Sequence, residues 1–284
     1  MSDWRRNLAV RVATGLVLFP VAVWITWVGG LALAVTCAAV AAEGAAELVL
    51  MFEKRLGLLG AAGVAVAGAF PLGAWLAWRH GGHQAPEWTG LALAFAVLAL
   101  LSLAVFRPGP IEGAPRAMGV VALAWLYCGL LTSTLVGLRL HFGFGWVIMA
   151  FVVTWANDTF AYFAGRLFGR HKLLERVSPK KTWEGFAGGV LGSLAGALVV
   201  RALLLGQVPP WAALAVAAGG AALGPLGDLA ESMLKRAAGV KDSGRLIPGH
   251  GGLLDRIDAL LFVAPWVYAV AILLERLGHA VAAP

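Results

Sequence analysis

Long apolar runs recur along this chain, each about 17–25 residues, the length an α-helix needs to cross the hydrocarbon of a bilayer. They fall near Val12–Val28, Leu31–Leu50, Leu58–Trp78, Trp88–Phe106, Met118–Leu138, Phe144–Phe163, Phe186–Leu205, Trp211–Leu229 and Leu253–Leu274. A chain of 284 residues that is 60% hydrophobic and 13% charged carries more apolar surface than a soluble domain of that size needs. The short alternating segments of a membrane β-barrel are not seen. The expected fold class is therefore all-α, a polytopic membrane protein with about nine transmembrane helices. Arg5, Arg6 and Arg11 precede the first run like the basic flank of a signal sequence. The run continues straight into the second span, so it reads as an uncleaved first helix.

Charge sets the orientation. With the N-terminus cytoplasmic, the inner segments hold all of the 22 Lys and Arg except Arg79, Arg139, Arg201 and Arg276. This predicts an N-in, C-out topology with both large polar loops on the cytoplasmic side of the membrane. The net charge of +7 then points to anionic membrane lipids as partners rather than to nucleic acid. Cys37 and Cys128 lie in apolar runs and read as small hydrophobic residues, with no disulfide or zinc spacing. Tryptophans near span ends, such as Trp27, Trp78, Trp88 and Trp146, read as interface anchors.

Five of the six aspartates lie in the second half of the chain. The expected organisation is a transmembrane scaffold over residues 1–140 and a catalytic transmembrane region with cytoplasmic loops over 141–284. An aspartate inside a span costs about 2.5–3.5 kcal/mol on insertion scales, which marks Asp158, beside Asn157, as functional. Its plain alternative is a pairing with a neighbour such as Arg166. The loop from Gly169 to Gly185 is rich in Lys and Arg, as cytoplasmic loops are. Within it, Ser178, Lys180, Lys181 and Thr182 set two ammonium groups between two hydroxyls, a pattern suited to phosphate oxygens.

Pro225 is expected to bend or end its helix. After it, Asp228, Glu231 and Ser232 share a helix face. Asp255 and Asp258, three apart, put two carboxylates about 5–6 Å apart on one face, where like charges call for a cation. Asp228, Asp255 and Asp258 thus make a candidate metal set, and oxygen-only ligands favour Mg²⁺. An ion-pair network with Lys235 and Arg236 is the alternative. The glycines of 248–252 offer backbone N–H groups to an anion, and His250 among them is a general acid, a phosphate donor or a loop hydrogen bonder.

Taken together, Ser232-x-Leu234-Lys235-Arg236, Lys241-Asp242, Pro248-Gly249-His250-Gly251-Gly252 and Asp255-Arg256-x-Asp258 resemble the signature of the phosphatidate cytidylyltransferase family. Asn157-Asp158-x-x-Ala161-Tyr162 and Ser178-Pro179-Lys180-Lys181-Thr182-Trp183-Glu184-Gly185 match its accessory stretches. The resemblance implies a membrane nucleotidyltransferase that joins CTP to phosphatidic acid, giving CDP-diacylglycerol and pyrophosphate for phospholipid synthesis. It also implies Mg²⁺ dependence, with K⁺ as a second cation, and a homodimer. On this reading Asp228, Asp255 and Asp258 hold cations on the triphosphate, with Lys235 as a further catalytic residue. Ser178, Lys180, Lys181, Thr182, Ser232, Arg236, Lys241, His250 and Arg256 bind substrate, and Asn157 and Asp158 stand further out.

A CTP-dependent lipid kinase acting on a polyprenol-type alcohol is the nearest rival, and a cation-coupled transporter is the rival of another class. Clustering of the polar residues at one face argues against the transporter. The Asp-Gly-x-x-Ala-Arg opening of a CDP-alcohol phosphotransferase is missing from the sequence.

Overall fold

The structure is a computed structural model and describes residues 3–81, 85–247 and 251–281. It is built from ten α-helices: α1 (Asp3–Val28), α2 (Gly30–Glu53), α3 (Leu58–Gly81), α4 (Ala85–Val105), α5 (Ala114–Ala124), α6 (Leu131–Phe142), α7 (Phe144–Phe168), α8 (Trp183–Leu204), α9 (Pro210–Ala237) and α10 (Leu254–Arg276). A π-helical segment, Trp125–Leu130, joins α5 to α6 without a break. The expected all-α class holds, with one addition. The basic loop folds as an antiparallel hairpin, β1 (Lys172–Leu174) with β2 (Ser178–Thr182), pairing Lys172 with Thr182 and Leu174 with Ser178.

Among the described residues, seven helical stretches are long and apolar enough to cross a membrane; α5, the π segment and α6 count as one of them. The apolar parts Gly15–Val28 of α1 and Gly90–Val105 of α4 are shorter. Bulky apolar side chains stand exposed on these helices, Leu191 at 67% and Leu203 at 75% among them. That is the surface of a protein solvated by lipid rather than by water. The protein is a multi-pass membrane protein.

The helices group into two compact units. One comprises Met1–Leu140 with Asp242–Arg256, the other His141–Lys241 with Ile257–Pro284. In the first, α2 packs on α3, and Gly129 of the π segment lets that segment lie against α3. A Cβ there would sit 2.7 Å from the Ala67 carbonyl oxygen. Phe70 and Trp125 stack beside it. Cys128 fits under Gly44, and both cysteines are free and buried, as small hydrophobic residues should be. Gly29, at φ 66°, turns the chain between α1 and α2. There Arg139 donates to the carbonyls of Thr26 and Trp27, two acceptors that the end of α1 leaves open.

In the second unit α8 lies against α7 through a stripe of glycines. Added Cβ atoms at Gly188, Gly192 and Gly196 would meet Ala164, Phe160 and Val152 at 2.3, 2.6 and 2.8 Å. Where hydrocarbon surrounds every helix, such small residues let backbones approach and gain dispersion contact. The same device operates between α9 and α10. Gly227 comes so close that a Cβ would lie 2.5 Å from the carbonyl oxygen of Asp258, and Trp266 crosses Gly219 to donate its indole N–H to Val216.

Of the two outcomes expected at Pro225, a bend or an end, the end is not found: α9 runs through it from Pro210 to Ala237. Its missing N–H is made good from a neighbouring helix, as described below.

The close approach at Gly227 is testable. Gly227→Ala is expected to destabilise the protein by about 1–3 kcal/mol, because the obstructing atom is backbone and cannot step aside. Gly119→Ala, whose Cβ would meet nothing within 4 Å, should be neutral or slightly stabilising. Thermal melts in detergent compare the two; equal melting temperatures would show that α9 and α10 can part without cost.

Candidate active site

In the second unit a cleft of about 410 Å³ opens between the end of α7, the hairpin, the start of α8 and the middle of α9. Asn157 and Asp158 enter it from α7, Lys180, Lys181 and Thr182 from β2, and Asp228 from α9. Six of the residues singled out in the sequence therefore meet in one place. A second cleft of about 360 Å³, in the first unit, is lined by alanines, glycine, valine and phenylalanines with Ser133. It carries no ionisable group and hence no acid or base.

The hairpin is held by its own base. Thr182 is the N-cap of α8, its hydroxyl accepting from the Gly185 amide at 3.1 Å. Glu184, in the first turn of that helix, accepts from the amides of Arg170 and His171 and pairs with the His171 ring at 2.6 Å. Lys172 donates to the Pro179 carbonyl. With the strands so fastened, Lys181 reaches α9. Its ammonium lies 2.8 Å from one Asp228 oxygen and 3.2 Å from the Pro225 carbonyl. The other Asp228 oxygen accepts from Ser232 at 3.2 Å.

Asn157 is buried at 2% exposure, and its amide nitrogen donates to Ser193 at 3.2 Å and to the Ala221 carbonyl at 3.4 Å. Ala221 is four residues before Pro225. Its carbonyl is the one that a proline at 225 deprives of a helical donor. Asn157 supplies that donor from α7, which explains how α9 survives its proline inside an apolar bundle.

One turn below Asp228, the fully buried Glu231 forms an ion pair with Lys235. Asp258 is buried too and accepts from the Ala259 amide at 2.9 Å. Its charged neighbours are Asp228, Asp158 and Lys235. Two like-charged neighbours beside a buried carboxylate are an arrangement that a cation would relieve. Arg166 donates to the Tyr162 hydroxyl at 2.8 Å, a partner that the sequence did not suggest.

Ser178 opens β2, and Arg236, Lys241 and Arg256 are exposed. His250, with Pro248 and Gly249, lies outside the described residues. Asp255 belongs to the first unit, where a single oxygen accepts from the Ser243 amide and hydroxyl at 3.0 Å each and from the Gly252 amide at 2.9 Å. Among the described residues, no group of three or more His, Cys, Asp and Glu is placed to hold a metal ion.

Glu47 was not singled out from the sequence. It sits in α2 at 5% exposure and accepts from Ser243, Leu253 and Leu254. The cost of a charge inside a span, which marks Asp158, applies equally to Glu47.

These features define a class: a multi-pass helical membrane protein with cations and carboxylates gathered in a cleft at the base of a basic hairpin. The chain belongs to the cytidylyltransferase family, whose sequence profile matches residues 9–274. It is 35% identical over 268 residues to the phosphatidate cytidylyltransferase of Brucella abortus, covering 92% of each chain. To that of Bacillus subtilis it is 33% identical over 266 residues, 92% of this chain and 97% of the relative. Similarity to the Staphylococcus saprophyticus enzyme is higher, 48%, over 123 residues that cover 43% of this chain and 47% of the relative.

The Asn157 contact can be checked by a double-mutant cycle. Asn157→Leu should cost about 1–2 kcal/mol of stability, the ordinary loss for leaving a buried carbonyl unpaired. Pro225→Ala returns an N–H to Ala221, so in that background the cost of Asn157→Leu should fall by at least about 0.5 kcal/mol. Additive melting shifts would show that the two residues act independently.

Proposed function

We propose that the chain transfers the cytidylyl group of CTP to phosphatidic acid, forming CDP-diacylglycerol and releasing pyrophosphate. The observation that carries this reading is the Lys181–Asp228 pair in the cleft, within a family whose similar members are named for this activity. A lipid phosphate is already an anionic nucleophile. Its oxygen attacks the α-phosphorus of CTP, the bond from that phosphorus to the bridging oxygen breaks, and the electron pair leaves with pyrophosphate. Such a transfer needs charge neutralisation and in-line alignment more than a base.

Lys180 and Lys181 are the groups in the cleft suited to phosphate oxygens. Lys181 pairs with Asp228, so an entering phosphate would compete with that carboxylate for the ammonium. Lys235, paired with Glu231, contributes positive charge near Asp258 rather than a free hand for phosphate. Asp158 borders the cleft, and Asn157 keeps α9 continuous behind it. Ser178, Arg236, Lys241, His250 and Arg256 remain candidates for the outer phosphates.

Asp228 and Asp258 fit a divalent cation, being oxygen donors with like-charged neighbours, one of them buried. Mg²⁺ held there, with K⁺ as a companion ion, would neutralise the triphosphate as pyrophosphate leaves. Asp255, in the first unit, stays the third metal-ligand candidate of the sequence. In this reading residues 141–284 carry the chemistry and 1–140 the scaffold.

CTP labelled at either the α or the γ phosphorus tests the reaction. Purified protein with phosphatidic acid and Mg²⁺ should place α-label in lipid and γ-label in pyrophosphate; γ-label in lipid would make it a kinase. In the same assay Asp228→Asn and Asp258→Asn should each lose at least about 10²-fold in activity while still folding. Loss of melting temperature with turnover intact would instead make them structural ion-pair partners.

The proposal extends to topology. Nine spans, counting α1 and α4, put the N-terminus and the active site at the cytoplasmic face and the C-terminus outside. Single cysteines at 175 and 245 should label from the cytoplasmic side and one at 207 from the other. Labelling of 175 and 207 from one side would overturn this order, and cross-linking of the same variants reports whether two copies associate as a homodimer.

A further inference from the structure

We propose that Glu47, in the second helix, is a positioning residue for the aspartate-bearing start of α10. The helix α2 is apolar on nearly every face, so a carboxylate buried in it at 5% exposure needs strong partners. It has three. One oxygen accepts from the Leu253 amide at 2.8 Å, the other from the Leu254 amide at 2.9 Å and the Ser243 hydroxyl at 2.8 Å. The amides at the start of a helix have no acceptor within it, and a negative charge is favoured there. Glu47 meets that need from a residue some 200 positions earlier in the chain.

The surrounding sequence is shaped to admit it. A Cβ at Gly244 would lie 2.3 Å from one Glu47 oxygen, and a Cβ at Gly252 would lie 2.5 Å from the other. Both glycines are therefore small so that the carboxylate can come in. Ser243 then links Glu47 to Asp255, since its hydroxyl also lies 3.0 Å from Asp255, which grips the Ser243 and Gly252 amides as well. A hydroxyl has one hydrogen to give, so Ser243 serves one carboxylate at a time and couples the two. Together they clamp the segment from both sides. Clamping the first turn of α10 fixes how that helix presents Asp255. Glu47 thus acts on one of the proposed cation-binding carboxylates without touching substrate.

The Mg²⁺ part of this inference rests on the cytidylyltransferase reading; the hold on the segment does not. The test uses full-length protein in detergent carrying Glu47→Ala or Glu47→Gln, the latter presenting an amide donor to amide donors, with Glu47→Asp as the conservative variant. Exchange of the Gly252, Leu253 and Leu254 amides should quicken by at least about 10-fold in Ala and Gln. The half-activating Mg²⁺ concentration should rise about 10- to 100-fold, as for other residues that orient metal ligands. Asp should recover part of both. Unchanged exchange, or faster exchange with a wild-type Mg²⁺ response, would overturn the proposal, the second result leaving Glu47 a structural fastener.

Should the Glu47 variants fail to insert, Ser243→Ala removes only the linking hydroxyl. It should move both readouts in the same direction by several-fold, and a wild-type profile would again overturn the proposal. If the wild-type protein transfers no α-label, the cytidylyl reading fails by itself. The exchange comparison then decides whether Glu47 holds the segment, with equal rates in wild type and Glu47→Ala overturning it.

Discussion

A polar group surrounded by hydrocarbon must find its partner inside the protein, and the arrangement of this chain follows from that constraint. Hydroxyls within the helices return to backbone carbonyls four residues earlier, as Thr26 does to Ala22 and Thr154 to Ala150. Buried acids are matched with donors: Glu231 with Lys235, and Glu47 with two amides and a hydroxyl. The same rule turns Pro225 from a helix breaker into a binding contact between helices. The carbonyl it orphans is one that Asn157 can reach from α7. Polar residues in the spans are thus both a cost and a means of fixing which helix faces which.

Glycine does the complementary work. Helices in lipid gain nothing from excluding water, so their association depends on how closely backbones can approach. The α7–α8 stripe and the contact at Gly227 are two sites of close approach in the second unit. The second of these has a chemical consequence. It brings the backbone of Asp258 against α9 just beside Asp228, so that two carboxylates become neighbours because a side chain is missing between them.

Around that pair the cleft mixes charge signs. Lys181 already answers Asp228, and the hairpin carrying it is tied down through Thr182 and Glu184 rather than by a hydrophobic core of its own. A short exposed hairpin would be marginal alone. Its fastening to α8 is what gives Lys180 and Lys181 a defined place, which a reaction dependent on alignment requires.

Much of this was legible in order of residues alone. Membrane character followed from the length and number of apolar runs, because hydrocarbon thickness fixes how many residues a span needs. Asp158 was visible as a charge where charge is costly, Lys180, Lys181 and Thr182 as ammonium and hydroxyl groups set together in a loop, and the motif order of the C-terminal half pointed to the family. Tertiary structure decided what each residue does. Thr182 caps a helix, Asn157 repairs one, and Asp255 grips its own loop, roles that depend on which backbone groups come within about 3 Å and leave no mark in spacing. Glu47 shows the limit most plainly. Its place in an apolar span signals importance, but its partners lie some 200 residues away, and only folding brings together groups so distant in the chain.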